Sequence, residues 1–390
     1  YKDKVWSNVN ILFIASASDW HVDLWSKYFT ENHQVYLFSD KENYLLNQAY
    51  HNITIFESEG VFGWFLNLFK SKSHKLYQLN KLLSARKYAR QIDCMIDQFD
   101  IDIVHAHSLY YGYVASLIKR NVKIVFTPMG SDIILHAQKK MLYKYMAFNA
   151  FKKAHITTGD SIFLQEQGYK VGAKKSNNFI IQNGVDSDIF FPQANDLRHS
   201  YDVGDDEILI FSPRAITPLY NIDIILQAVH ELVCKGLKIK CMLSFAFGDD
   251  YSDQLKKQAK DLKIDDHILW LGYLTYVDMA QHYNAADLVV SVPSSDSSPK
   301  SVYEAMFCKK PIVVSDLKWT YEILDEECIA RVDARDSEQL SMAIIELITH
   351  TSHAEKLAHN ALLVANEHFD YKNNMIKMET IMREAVWKKE

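Results

Sequence analysis

Asp287-Leu-Val-Val-Ser-Val-Pro-Ser-Ser-Asp296-Ser-Ser-Pro-Lys-Ser-Val-Tyr-Glu304-Ala-Met-Phe-Cys-Lys-Lys-Pro311-Ile-Val-Val-Ser-Asp316, continuing to Glu322, is the stretch on which the fold turns. Two apolar runs bracket a polar loop and a short amphipathic segment. The pattern predicts strand, loop, helix, and a second strand opened by Pro311. Asp296 falls in the loop and Glu304 falls about one turn into the helix, eight positions later. Both acids therefore point to the end of a parallel strand, where open α/β sheets bind ligands.

The junction is predicted to receive an anion. Ser298 is placed as N-cap and Pro299 at the first helical position. The amides that follow lack intrahelical partners, and the helix dipole makes that end positive. Lys300 adds a full charge. A docked phosphate leaves Glu304 free to accept hydrogen bonds from one sugar and Asp296 from another. A sugar nucleotide meets both demands.

Outward from this stretch, strands alternate with helices. Apolar runs predict strands over 10–15, 35–38, 103–107 and 123–127, then 208–212, 239–245, 268–271 and 287–292. Helical periodicity covers 74–98, 111–119, 221–234, 251–262, 276–285 and 371–390. Such alternation predicts parallel, doubly wound sheets. The 390 residues suit two domains. The polar stretch 193–205 reads as a linker.

Five scattered cysteines without a C-x-x-C pair suit a reducing cytoplasm. No apolar run is long enough to span a bilayer. The chain opens on Tyr1 rather than Met, so the native start is expected upstream. His105 and His107 share one face of a strand and read as buried or site-lining. The D-x-D pairs Asp100/Asp102 and Asp186/Asp188 read as turn or cap residues rather than Mg²⁺ ligands.

Charge is uneven. Residues 1–190 hold 22 Lys/Arg against 17 Asp/Glu, and the remainder holds 21 against 32. Segments 60–92 and 133–159 are basic, aromatic and free of acids. They are predicted to touch an anionic membrane surface peripherally. An acidic chain without a nucleic-acid motif predicts no nucleic-acid partner.

Further elements appear in order: Asp102-Ile-Val-His-Ala-His107, Gly130-Ser-Asp132, Ile181-Gln-Asn-Gly-Val-Asp186, Ser212-Pro-Arg214, Asn221 through Ala228, Leu271-Gly272, Tyr283, Pro293-Ser294, Glu304-Ala-Met306 and Pro311. Together they resemble the retaining GT-B glycosyltransferases of family 4, over about residues 100–370. The resemblance implies an α/β GT-B fold with two Rossmann-like domains facing a central cleft. Residues 1–190 would bind the acceptor and 191–368 the nucleotide-sugar. A last helix, 369–390, would pack back toward the first domain.

The resemblance also assigns roles. Glu304 would hold the nucleotide ribose, Asp296 the donor-sugar hydroxyls, and Arg214 the leaving phosphate. These three are the expected catalytic residues. Ser297, Ser298, Lys300, Ser301, Tyr220, Tyr273 and Glu322 would line the donor. Ser18, Asp19, His107, Gly130, Ser131 and Asp132 would shape the acceptor side. No metal and no cofactor is expected, since the nucleotide-sugar is the substrate and cations with free amides receive the leaving group.

Departures keep other readings open. Ser16-Ala-Ser-Asp19 stands where the family has a Gly-Gly pair, and Tyr220-Asn221 where it has Lys-Gly. Lys318-Trp319 replaces a Gly pair before Glu322. A CMP-linked donor, a sugar-nucleotide epimerase of related fold and a non-catalytic GT-B subunit remain alternatives. The expected activity is transfer of a sugar to a glycan or lipid-linked acceptor in bacterial-type surface polysaccharide or glycoconjugate synthesis, at the cytoplasmic face of the membrane.

Overall fold

Ile11, Leu12, Phe13 and Ile14 are each 0% exposed, so both faces of the first strand are covered. That is the mark of a central strand in a parallel sheet. The computed structural model describes residues 9–17, 20–40, 54–58, 74–244 and 250–387. The chain divides into two compact units, Tyr1–Asn183 with Met375–Glu390, and Gly184–Asn374.

The first unit contains β1 (Asn10–Ile14), β2 (Gln34–Asp40), β3 (Thr54–Ser58), β4 (Ile103–His107), β5 (Lys123–Thr127), β6 (Ile156–Gly159) and β7 (Asn178–Ile180). They lie in the order β3-β2-β1-β4-β5-β6-β7, every pairing parallel. Helices α1 (Trp20–Thr30), α2 (His74–Phe99), α3 (Ser108–Ser116), α4 (Met141–Lys153) and α5 (Ile162–Tyr169) alternate with them. Strand periodicity splits the core. Leu12, Ile14, Val104, Ala106, Ile124 and Phe126 pack on one side with α2, α3 and α4. Phe13, His105 and His107 face the other side, against Trp25 of α1.

The second unit contains β8 (Ile208–Ser212), β9 (Ile239–Leu243), β10 (Ile268–Trp270), β11 (Leu288–Ser291), β12 (Ile312–Ser315) and β13 (Ala330–Val332). Their order is β10-β9-β8-β11-β12-β13, again all parallel. Its helices are α6 (Ile222–Cys234), α7 (Asp250–Asp261), α8 (Tyr276–Ala285), α9 (Lys300–Phe307), α10 (Ser337–Thr349), α11 (Thr351–His368) and α12 (Tyr371–Trp387), the last passing into the first unit at Met375. Helix α8 starts on a capping box, with Thr275 Oγ1 accepting from the Asp278 amide and Asp278 Oδ2 accepting from the Thr275 amide. Residue 245 of the predicted strand 239–245 lies outside the described residues.

The division between units falls at Asn183/Gly184, ahead of the expected 190/191. Asn183 is claimed by the first unit, where its Oδ1 accepts from Trp25 Nε1 at 3.2 Å. Val185 belongs to the second, where its amide donates to Phe369 O at 2.8 Å and its carbonyl accepts from Tyr371 N at 3.0 Å. Within the first unit, Glu379 of α12 accepts from Tyr28 at 2.8 Å and lies 3.3 Å from His33 Nε2. Among the described residues, no helix is long and apolar enough to cross a membrane.

Candidate active site

The second sheet reverses its strand order between β8 and β11. Loops leaving the carboxyl ends of two such strands diverge and leave a crevice. Arg214 follows β8 by two residues, and Asp296 lies in the loop after β11. Pro213 has no amide for the ladder and ends the pairing of β8.

Arg214 is fixed from three sides. Its Nη1 donates to Ser301 Oγ at 2.8 Å and its Nη2 to Asp296 Oδ2 at 2.8 Å. The Tyr220 ring lies 4.2 Å from the guanidinium carbon. A guanidinium has five N–H donors, so three remain for a ligand. The Arg214 and Asp296 side chains are only 11% and 16% exposed, which strengthens the pair.

Asn221 anchors the surrounding loops. It is fully buried, with φ 51° in the left-handed region that Asn tolerates. Its Nδ2 lies 2.8 Å from Val292 O, 2.9 Å from Ser294 Oγ and 3.2 Å from Ala334 O. Its Oδ1 accepts from Arg335 Nη1 at 2.8 Å. The Ser294 amide donates to Leu219 O at 2.9 Å, and Ser315 Oγ to Pro293 O at 2.7 Å. The Asp296 loop is thus tied to the strand ends on both sides.

The capping expectation at Ser298 is corrected. Helix α9 begins at Lys300, and its N-cap is Pro299, extended at φ −74°, ψ 106°, with no side-chain cap bond. The Ser298 hydroxyl instead lies 3.0 Å from Tyr303 Oη, and Tyr303 stacks on Phe369 at 3.7 Å between centroids. Competition from that phenol takes Ser298 away from the helix end. Ser297 is buried, and its amide donates to Asp296 Oδ1 at 2.9 Å.

Glu304 is 6% exposed and faces Tyr283 of α8. Tyr283 Oη lies 2.9 Å from Glu304 Oε2 and 2.9 Å from Ser301 O. A phenol has one proton, so it serves one acceptor at a time. Burial raises the Glu304 carboxyl above the usual range, opposed by Lys300, Tyr283 and Arg214. Lys300 Nζ lies 4.2 Å over the Tyr276 ring. Burial lowers its ammonium to about 8, against the pull of Glu304 and Asp186.

The structure therefore brings Arg214, Asp296, Ser301, Glu304, Lys300 and Tyr220 into one linked set. Tyr273 follows the edge strand β10 and is 70% exposed. Glu322 closes the turn Lys318–Tyr321 at the far end of β12's loop. Sequence reasoning treated Tyr220 and Asn221 as the place of a missing lysine. It did not find their roles beneath Arg214 and between the loops. It also missed Tyr283 as the partner of Glu304, because nothing in the spacing of α8 marks it.

In the first unit, His107 is 1% exposed and packs edge-on against Trp25 at 5.2 Å. Its neighbour His105 shares Thr127 Oγ1 at 2.8 Å, which lies 2.7 Å from Thr158 Oγ1. Burial and His107 hold His105 well below the usual imidazole range. Asp132 Oδ2 accepts from the Leu109 amide at 2.8 Å, at the start of α3. Burial raises the Asp132 carboxyl, opposed by that bond. Gly130 and Ser131 precede it, Ser131 being exposed. Ser18 and Asp19 lie outside the described residues. The D-x-D residues take structural roles: Asp102 Oδ2 accepts from the Asn10 amide at 2.8 Å, and Asp188 pairs with Lys372 at 2.7 Å.

Residues 193–363 match the family of glycosyl transferases group 1, and residues 10–161 match the glycosyl transferase 4-like family. The alpha-monoglucosyldiacylglycerol synthase of Streptococcus pneumoniae is 22% identical over 65% of this chain, which spans 60% of that relative's length. The D-inositol 3-phosphate glycosyltransferase 1 of Catenulispora acidiphila is 26% identical over 55% of this chain and 56% of its own. Among solved structures, Anabaena HepE superposes with a TM-score of 0.77 at 19% identity, covering 96% of this chain and 100% of HepE. The sucrose-phosphate synthase of Thermosynechococcus elongatus superposes with a TM-score of 0.80 at 15% identity, covering 96% and 98%. Two parallel-sheet units, each matched by its own glycosyltransferase family, place this chain among the GT-B glycosyltransferases, with a group 1 domain in its second unit.

Proposed function

We propose that the chain moves a glycosyl group from a nucleotide-sugar donor, held by the second unit, to a hydroxyl of a glycan or lipid-linked acceptor in surface polysaccharide or glycoconjugate synthesis. The observation that carries this reading is the Arg214–Asp296–Ser301 cluster at the strand-order reversal, with Glu304 buried behind it. The bond that breaks joins the sugar's anomeric carbon to a phosphate oxygen. Negative charge gathers on the departing phosphate and positive charge on the sugar ring. The three unused donors of Arg214 receive the phosphate, supported by Lys300 and the first amides of α9. Asp296 accepts from sugar hydroxyls beside the reacting carbon, and Glu304 accepts from the ribose.

Cations of the chain itself supply the charge that the leaving group needs, so the proposed reaction is metal-independent. The anomeric configuration is retained through attack on the face the phosphate leaves. The acceptor is assigned to the first unit, with Gly130, Ser131 and Asp132 near it. The likeness to an alpha-monoglucosyldiacylglycerol synthase supports a lipid-linked acceptor.

Calorimetric titration with UDP-, GDP-, ADP- and CMP-sugars tests the reading. One nucleotide class should bind, and Arg214→Ala should weaken it at least tenfold without loss of fold. No binding by any class, or undiminished binding by Arg214→Ala, overturns it.

A further inference from the structure

Helix α4 (Met141–Lys153) turns large apolar side chains outward. Met141 is 83% exposed, Tyr145 57% and Phe148 52%. At spacings of four and three residues they form one stripe along the helix. Lys152 continues the stripe at the next turn, and Lys144 flanks it, both exposed. The opposite face of α4 carries Met146, Ala147, Ala150 and Phe151, all buried in the core. So much of the outer apolar stripe stays in contact with water, at a cost.

A second segment adds charge beside it. Gly172, at φ 109°, lies against Phe148, whose Cδ2 would stand 2.8 Å from an added Cβ. That turn leads directly to Ala173 and the exposed Lys174 and Lys175. Segment 133–159 contains no acid, and neither does the turn from Lys170 to Lys175. The surface therefore combines three protruding apolar side chains with lysines from two separate segments and no counter-charge of its own. Of the other basic segment, 60–92, residues 60–73 lie outside the described residues.

We propose that the outer face of α4, with the Lys174–Lys175 turn, docks on an anionic lipid bilayer. Met141, Tyr145 and Phe148 enter the headgroup–acyl boundary, while Lys144, Lys152, Lys174 and Lys175 lie over the acidic headgroups. Charge complementarity selects this occupant. A second copy of the same face would bring like-charged lysines together, and a neutral apolar partner would leave them unanswered. The inference rests on α4 and the adjoining Lys174–Lys175 turn and stands whatever the donor or acceptor.

Flotation of the full chain with vesicles tests it. Vesicles of phosphatidylcholine with a third phosphatidylglycerol should carry the protein, pure phosphatidylcholine far less, and added salt should release it. Met141→Ser with Phe148→Ser should lower partitioning about tenfold or more, since two buried apolar side chains are lost. Lys144→Gln with Lys152→Gln should lower it as well, and touches no core residue. Nucleotide-sugar affinity should stay unchanged in both pairs, and the melting temperature in the lysine pair. Three results overturn the proposal: equal partitioning to both vesicle types, no effect of either pair, or a stable dimer in lipid-free solution that Phe148→Ser dissociates.

Discussion

Arg214 and Asp296 meet at 2.8 Å, one from each of the two strand ends where the second sheet reverses its order. The bonds to Asp296 and Ser301 fix the guanidinium in place, which limits the reorganisation needed to receive a phosphate. Arg214→Lys keeps the charge but loses the fork and the second bond to Ser301. Transfer should fall about a hundredfold, and Arg214→Ala should lose more. Steady-state kcat/KM with the cognate donor measures both, and unchanged circular dichroism shows that the fold persists.

Tyr220 sits under Arg214 where the resembled family has lysine. Its ring holds the guanidinium plane by a cation–π contact of about 0.5–2 kcal/mol. Tyr220→Phe keeps the face and should leave kcat/KM nearly intact. Tyr220→Ala should lower it by about threefold to tenfold, through a weaker donor affinity. Equal losses in the two variants would show that the phenol hydroxyl, not the ring face, matters.

Parallel strands buried on both sides announce themselves as apolar runs, which is why β1, β4, β5, β8 and β11 were legible. The edge strands β7 and β13 were not, nor was β6 beside β7. β7 (Asn178–Ile180) and β13 (Ala330–Val332) have three residues each, and β6 reads Ile-Thr-Thr-Gly. Such segments gain their state from a neighbouring strand, not from their own pattern. The site divides similarly. The placing of Asp296 and Glu304 beside a strand end was legible in loop position and residue type, whereas Arg214 stood out through the family resemblance alone. Asn221 and Tyr283 act through partners 71 and 21 residues away, and only the fold reveals them.

Glu304 is buried, and its carboxyl is raised above the usual range. Below the ordinary glutamate value it is neutral in folded and unfolded chains alike. Above the raised value it is ionised in both, and burial then disfavours the folded form. Wild type should therefore lose stability relative to Glu304→Gln as pH climbs through that window, and match it in acid. The same substitution should cut transfer about tenfold to a hundredfold, because a charged acceptor is lost. Melting curves from pH 4 to 8 beside kcat/KM decide this. A variant less stable and less active at every pH would mark Glu304 as merely structural.

Lys300 is lowered to about 8 by burial, so it is charged below that pH and neutral above it. An anion beside it favours the charged form. Donor affinity should thus weaken as pH rises through about 8. Lys300→Arg stays charged throughout and should flatten that slope, while Lys300→Met should bind weakly at every pH. Calorimetry between pH 6.5 and 9.5 follows the three curves. A wild-type affinity that is flat across this range would separate Lys300 from the phosphate.

Gly184 lets the chain pass Tyr371 at a distance no side chain permits. Its φ is 73°, and an added Cβ would stand 2.5 Å from Tyr371 Cα and 2.9 Å from its amide nitrogen. Both are backbone atoms, held by the Val185 bonds to Phe369 and Tyr371. They can yield only by opening that ladder. Gly236 is the natural control, since it has φ 83° with nothing within 4 Å of its Cβ position. Gly236→Ala should cost only the left-handed backbone, about 1–2 kcal/mol. Gly184→Ala should cost that and the clash, roughly 3 kcal/mol or more. Urea unfolding of the two variants side by side isolates the close approach as their difference. Equal losses would show that the Tyr371 backbone moves aside freely and that the glycine serves its dihedral alone.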